Sequence, residues 1–296
     1  MGLTRSSNAN SGIDDDIIEI AGLPLIVEES SKPQGDITKN FRYTYTLKQD
    51  LNHPREDYVN YVVALTDQRL DTYSEFDISS IVTSATRRFN LESNPTSIFS
   101  RPSLDASIAG FMVLLADKSF LSSQKYDLTF TGALNDSLIF SIGGFHDHRK
   151  FLINDLKSGY INGLAFSNSY MSDSDVLTKF EYEYSKYNAK VSYETYQSNS
   201  FGLNITSALV RGWSFKASLL HTQKSHFADF PIFGKKKEEI NSAKIEFSKT
   251  SSDKCLFASY RVAKNDNRSS IDIYSRSNLQ VTADFSYVCL MNDPGK

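Results

Sequence analysis

From Phe41 onward apolar residues recur at every second position, and this period of two restricts the chain to extended strands with unlike faces. Phe41, Tyr43, Tyr45 and Leu47 alternate with Arg42, Thr44 and Thr46. Phe180, Tyr182 and Tyr184 alternate with Glu181, Glu183 and Ser185, and Tyr187, Ala189, Val191 and Tyr193 with Asn188, Lys190, Ser192 and Glu194. Trp213, Phe215, Ala217 and Leu219 share one face. Ala243, Ile245 and Phe247 flank Lys244 and Glu246, and the pattern persists through Ala258, Tyr260 and Val262 to Val281, Ala283, Phe285 and Tyr287. No amphipathic helix follows residue 40, and no self-similar repeat of 20–50 residues marks a propeller or solenoid. The longest apolar run, 108–116, falls well short of the roughly 20 residues that a membrane-crossing helix needs.

Turn-forming clusters at 48–54, 94–102, 135–137, 168–175, 196–200, 250–254 and 264–270 separate these stretches. At about 17 residues per strand plus connection, the region 41–287 holds about 14 antiparallel strands. Connections look alternately short and long toward the C-terminus. Residues 1–40 read differently: a polar start, an acidic triplet at Asp14, Asp15 and Asp16, and an apolar stretch 17–27 broken by Gly22 and Pro24. That stretch fits a short helix or a plug-like extended segment equally well. The expected division is therefore a tail, linker or plug over 1–40, a barrel over 41–287 and a C-terminal tail over 288–296.

What the polar face carries decides where it points. A sheet closing at about 14 strands is too wide for side chains to fill, so its interior holds water. Arg42, Glu181, Glu183, Lys190, Glu194, Lys216, Lys244, Glu246, Arg261 and Asp284 all fall opposite the apolar set. Those ten residues are the expected lining of an aqueous lumen, and the apolar face is then stable only against lipid. The 20 Phe and 16 Tyr suit a lipid-facing belt with aromatic girdles. The expected fold is an all-β antiparallel transmembrane barrel in the bacterial outer membrane. A soluble β-sandwich, with the apolar face turned inward, is the competing arrangement.

A net charge of −3 gives no cationic excess for phosphate neutralisation, so nucleic acid is not an expected partner. Residues 1–10 lack the apolar core of a secretory signal, so export would require a start upstream of Met1. His146 and His148 share a strand face but lack a third ligand at useful spacing. Ser225 and His226 are adjacent, with no acid tied to them. Cys255 and Cys289 fall on opposite faces of the last hairpin, which disfavours a bridge. No catalytic residue, metal or cofactor is expected.

One resemblance is specific. Phe233, Gly234, Lys235, Lys236, Lys237, Glu238 and Glu239 are followed by Ser269, Ser270, Ile271, Asp272, Ile273 and Tyr274. A last strand then carries Phe285 and Tyr287. This succession resembles the C-terminal part of the barrel of the surface lipoprotein assembly modifier family over residues 227–287. The resemblance implies a single monomeric barrel that assists delivery of lipoproteins to the cell surface. Its implied partners are outer-membrane lipid, a lipoprotein client, the barrel-insertion machinery and a periplasmic helical-repeat domain that this sequence lacks. The functional alternative is a porin-like passive channel.

Overall fold

In the computed structural model the chain is described at residues 2–8, 17–20, 23–26, 32–51, 57–92, 98–209, 212–231, 234–251 and 256–287. Sixteen strands follow in chain order. They are β1 (Gly2–Ser6), β2 (Ile17–Ile20), β3 (Leu23–Ile26), β4 (Asp36–Asp50), β5 (Tyr58–Leu70), β6 (Ile78–Asn90), β7 (Ser100–Leu115) and β8 (Lys118–Ala133). The second half comprises β9 (Leu138–Phe151), β10 (Gly159–Met171), β11 (Val176–Ala189), β12 (Tyr196–Ala208), β13 (Trp213–Phe230), β14 (Gly234–Thr250), β15 (Leu256–Ser269) and β16 (Arg276–Tyr287).

β4 to β16 pair antiparallel with their sequence neighbours, and β1 inserts between β16 and β4 to close a barrel of 14 strands. β2 and β3 form a separate hairpin in the connection between β1 and β4. The extended alternative for the apolar stretch at 17–27 is therefore the one adopted where that stretch is described. The barrel also takes more of the N-terminal region than the expected boundary at residue 40 allowed. Gly2–Ser6 is a wall strand, and β4 begins at Asp36. β1 escapes a period-two reading because it is too short to show one.

Because all strands are antiparallel, connections fall at two rims. The lower rim carries the connections 51–57, 91–99, 134–137, 172–175, 209–212 and 251–255, together with the outgoing end of β16. The upper rim carries 7–35, 71–77, 116–117, 152–158, 190–195, 231–233 and 270–275. The expected alternation of short and long connections near the C-terminus is not found; only 7–35 is long. Several turns follow from single residues. Ala116 and Asp117 (φ 47° and 61°) make a two-residue hairpin of the type whose twist matches its strands. Gly212 (φ 76°) opens β13 where an added Cβ would meet the Thr250 carbonyl at 2.7 Å. The buried carboxylate of Asp36 accepts backbone N–H bonds from Thr72 (2.9 Å) and Tyr73 (3.2 Å), tying β4 to the next upper-rim turn.

Strand register orients the faces. Phe41, Tyr43, Tyr45 and Leu47 lie beside Asp67, Leu65, Val63 and Tyr61 on the outer surface, and Phe180, Phe201, Leu203, Leu219, Ile245, Phe247 and Tyr260 continue that surface around the barrel. The described residues form no conventional apolar core. Among the described residues the buried apolar side chains are Ile161, Tyr187, Phe230 and Ile271, and all four lie on the inner side near the upper rim or in its turns.

Several stretches expected as loops are strand. Residues 196–200 begin β12, 168–171 end β10 and 264–269 end β15. The reason lies outside the belt: along β13 the outer face runs Trp213, Phe215, Ala217, Leu219 and then His221, Gln223, Ser225. Along β15 it runs Leu256, Ala258, Tyr260, Val262 and then Lys264, Asp266, Arg268. Above the belt both strand faces meet water, so alternation vanishes from the sequence although pairing continues.

Candidate functional site: the barrel lumen and its side opening

Fourteen strands spaced about 4.8 Å apart and tilted about 40° enclose a backbone radius of roughly 14 Å. Inward side chains occupy part of that radius, and the remaining bore is polar. Register places Arg42, Glu181, Glu183, Lys216, Lys244, Glu246, Arg261 and Asp284 on one face of the wall, opposite the exposed aromatic and aliphatic belt. Lys190 and Glu194 are placed differently. β11 ends at Ala189, and both residues sit in the upper-rim connection 190–195, where Lys190 pairs with Asp155 and Glu194 with Lys157 (3.4 Å). They border the mouth instead of lining a strand: Tyr187 takes the inward position after Glu181, Glu183 and Ser185, so the polar positions of 187–194 have the opposite parity, and the stretch leaves the strand for a 3-10 turn at Ser192–Glu194. The hydrogen bond from Lys190 holds the Asp155 carboxyl below the usual range for aspartate.

The inward ions pair both across strands and between alternate positions of one strand. Lys244 and Arg261 both meet the Glu246 carboxylate, at 3.1 and 3.0 Å, and Arg261 continues to Asp284 at 3.7 Å. Lys179 pairs with Glu181 at 2.5 Å, and the Asn204 amide donates to the same carboxylate at 2.7 Å. Arg88 meets Asp105 at 2.6 Å and Arg149 meets Asp147 at 2.7 Å. Arg42 and Lys216 have no ion-pair partner among the described residues. Glu183, also inward, is the carboxylate without an ion pair among the described residues of this set, so two unpaired cations stand against one unpaired carboxylate.

Near the upper rim the inner surface thickens into a packed cluster that sequence reasoning missed. The buried His226 ring packs tilted against Tyr196 and edge-on to Phe230; its Nδ1 lies 2.8 Å from the Tyr193 carbonyl and its Nε2 3.4 Å from Glu238. Lys236 bonds Glu238 at 3.2 Å and covers the Tyr274 ring at 3.8 Å. Burial keeps the Tyr274 phenol above its ordinary pKa. Inward parity of Lys236 and Glu238 is the available signal, hidden because the charge run 235–239 reads as a solvated loop. Ser225 points to the opposite face of β13 from His226.

This cluster joins the two halves of the C-terminal motif. The Ser270 hydroxyl donates to the Lys235 carbonyl (3.0 Å), the Lys237 N–H donates to that hydroxyl (2.9 Å), and Ile271 is buried beside them. Gly234 starts β14 at φ 75°. Ile273 and Tyr274 form the 3-10 turn, whereas Phe285 projects outward and Tyr287 ends β16. Phe233, Cys255, Cys289 and the tail 288–296 lie outside the described residues. His146 and His148 share the outer face of β9, where His146 pairs with Asn162 at 2.7 Å.

The opposite wall differs. β1 pairs with β4 only from Ser6↔Asp36 to Gly2↔Asn40, and with β16 only as far as Asp284. The Thr4 hydroxyl bridges the Thr282 hydroxyl (3.0 Å) and the Asn40 amide (2.9 Å), and below that level residues 41–50 pair with β5 alone among the described residues. Every one of those β4 residues is exposed, inward and outward alike. A cavity of about 1040 Å³ opens there, lined on one side by Arg42, Glu246, Arg261 and Asp284 and on the other by Phe41 and Tyr43.

A closed, water-lined ring of strands wearing an aromatic and aliphatic belt has one stable setting. The protein is an outer-membrane β-barrel. Closure gives each strand of the wall two paired neighbours, which is the condition for crossing lipid without helices. No helix among the described residues is long and apolar enough to cross a membrane. No protein-family model and no curated protein matches the sequence. Among solved structures the chain is similar to an anion-selective porin from Comamonas acidovorans, with 8% identity over 97% of this chain and 96% of that one (TM-score 0.48). It is also similar to OmpT, an outer membrane protein of Vibrio cholerae, at 9% identity over 97% of both chains (TM-score 0.47). A bacterial polysaccharide outer membrane secretin matches at 7% identity over 98% and 97% (TM-score 0.45).

Proposed function

We propose that the protein is a passive, porin-like channel for small polar solutes, with a preference for anions. The observation that carries this reading is the aqueous bore in which two inward cations, Arg42 and Lys216, have no ion-pair partner among the described residues, against one such carboxylate, Glu183. A charge-lined bore of this width raises the local concentration of the opposite ion and needs no bond-making step. The upper-rim cluster around His226 and Tyr274 narrows the mouth from one side and sets the size limit. In planar bilayers the purified protein should give stable conductance with a reversal potential on the anion-selective side. Lys216→Glu combined with Arg42→Glu should move that potential toward cation selectivity. A silent barrel would overturn the reading.

A second reading is assistance in delivering lipoproteins to the surface, as the C-terminal resemblance implies. It is favoured by the contact between the two motif stretches, which form one unit at the upper mouth through Ser270 and Lys235. Protease-accessible display of a co-expressed lipoprotein, lost when Ser270 and Lys236 are replaced together in a barrel that still inserts, would support it.

A further inference from the structure

We propose that the inner face of β8 to β11 carries a binding trough for neutral, polyhydroxylated solutes of one or two sugar rings. The proposal rests on the reading of the bore as an open aqueous passage and adds a solute class to it.

Cross-strand register sets Thr129 opposite Gly143, Gly143 opposite Ala165 and Ala165 opposite Glu183, all on the face turned away from the lipid belt. At about 4.8 Å per strand, Thr129 and Glu183 stand about 14 Å apart along the wall, with only Gly143 and Ala165 between them. Those two small residues form a floor. An added Cβ at Gly143 would meet the Thr129 hydroxyl at 2.5 Å, so glycine lets that hydroxyl lean over the floor. Ser167 lies one inward position below Ala165. A cavity of about 500 Å³ occupies this stretch and reaches Gly202 and Leu220, a size typical of small-molecule sites.

The lining specifies the guest. Glu183 has no ion pair or side-chain hydrogen bond among the described residues, and the Thr129 and Ser167 hydroxyls have no partner there either. The neighbouring charges are already matched, Lys179 with Glu181 at 2.5 Å and Lys125 with Asp127 at 2.8 Å. An anion would therefore meet the Glu183 carboxylate and no unpaired cation. Vicinal hydroxyls can instead donate one to each oxygen of that carboxylate, and the Thr129 and Ser167 hydroxyls both donate and accept, as the remaining groups of a sugar require. Leu220, apolar and exposed on the inner face, suits the C–H-rich face of a sugar ring. β11 lies seven strands from β4 in the ring of 14, so the trough and the unpaired Arg42 belong to opposing walls.

Saturation-transfer NMR on the purified barrel, in a detergent without a sugar headgroup and with sucrose as the probe, reads binding without requiring conductance. Sucrose should bind saturably. Glu183→Gln should weaken binding about tenfold or more, because the charged acceptor is lost. Ala165→Leu fills the floor and should abolish binding in a barrel that still shows heat-modifiable migration; Glu183→Gln decides the matter if that variant does not fold. Four results would overturn the proposal: no saturable binding by the parent barrel; equal binding of a polyethylene glycol of the same size; binding of ethanolamine or gluconate in preference to sucrose, which assigns the trough to a cation or an anion; or sucrose affinity unchanged in Glu183→Gln. A barrel that binds sucrose and does not conduct ends the channel reading alone, and one that conducts anions without binding sucrose ends the trough alone.

Discussion

The wall from β9 to β15 and the wall at β4 are built of the same alternating sequence, yet they end in opposite states. The first carries an inner layer. Tyr187, Tyr196, His226 and Phe230 pack ring to ring, and the turns at 152–158, 190–195 and 270–275 are tied down over them. The second has no inner layer, and over residues 41–50 it is exposed on both faces. The contrast shows that a wide barrel gains rigidity locally. Antiparallel pairing supplies the wall, while the inward packing that would fill a small barrel is confined here to one sector of one mouth. That sector also holds the C-terminal motif, so the part of the chain with the most specific sequence is the part with the most specific packing.

The largest expected contrast is in stability. Phe230→Ala removes a buried ring and leaves a cavity, and should cost about 3 kcal/mol or more in reversible urea unfolding from micelles. Thr46→Ala on the bare wall should stay within about 0.5 kcal/mol. Equal losses at the two sites would erase the distinction. Next in size is the ion ladder. Glu246→Gln removes the carboxylate shared by Lys244 and Arg261, and should raise anion preference measurably in single-channel recordings. The Asp105→Asn change frees only Arg88 and should shift it less.

The smallest effect lies at the upper mouth. The Asp155 carboxyl is held below its ordinary pKa by Lys190, so their contact is fully present above the usual aspartate range. It is lost only as pH falls through the depressed value. A carboxyl-resolved NMR titration should show Asp155 titrating below an unpaired aspartate, and Lys190→Met should return it to the ordinary range. An Asp155 that titrates normally in the parent protein would contradict the pairing.

Much of the wall was legible because the belt imposes a rule: wherever one face meets lipid and the other water, residues must alternate. Phe180 to Ser185 and Ala243 to Phe247 show this directly, and the inward placement of Glu181, Lys244 and Arg261 followed from it. Above the belt the rule lapses. Gln197 and Asn199 face outward and Ser198 and Ser200 inward, all in water, so 196–200 read as a turn although it is the start of β12. The His226 cluster was hidden for the same reason: Lys236 and Glu238 look like surface charges until register places them across from a buried imidazole. Lys190 and Glu194 differ in the opposite sense: with Tyr187 inward the polar positions after it have outward parity, and a 3-10 turn prolongs their period of two beyond the strand.

Thiol accessibility along β13 tests the orientation of the barrel most directly. In a background with Cys255 and Cys289 replaced by Ser, single cysteines at 215, 216, 217, 218 and 219 would be exposed to a charged, membrane-impermeant thiol reagent in reconstituted vesicles. Lys216→Cys and Ser218→Cys should react, with Phe215→Cys, Ala217→Cys and Leu219→Cys protected by lipid. Reaction at the odd positions with protection at the even ones would mean that the aromatic face is turned to water, and a lipid-embedded barrel with an ionic bore would be excluded.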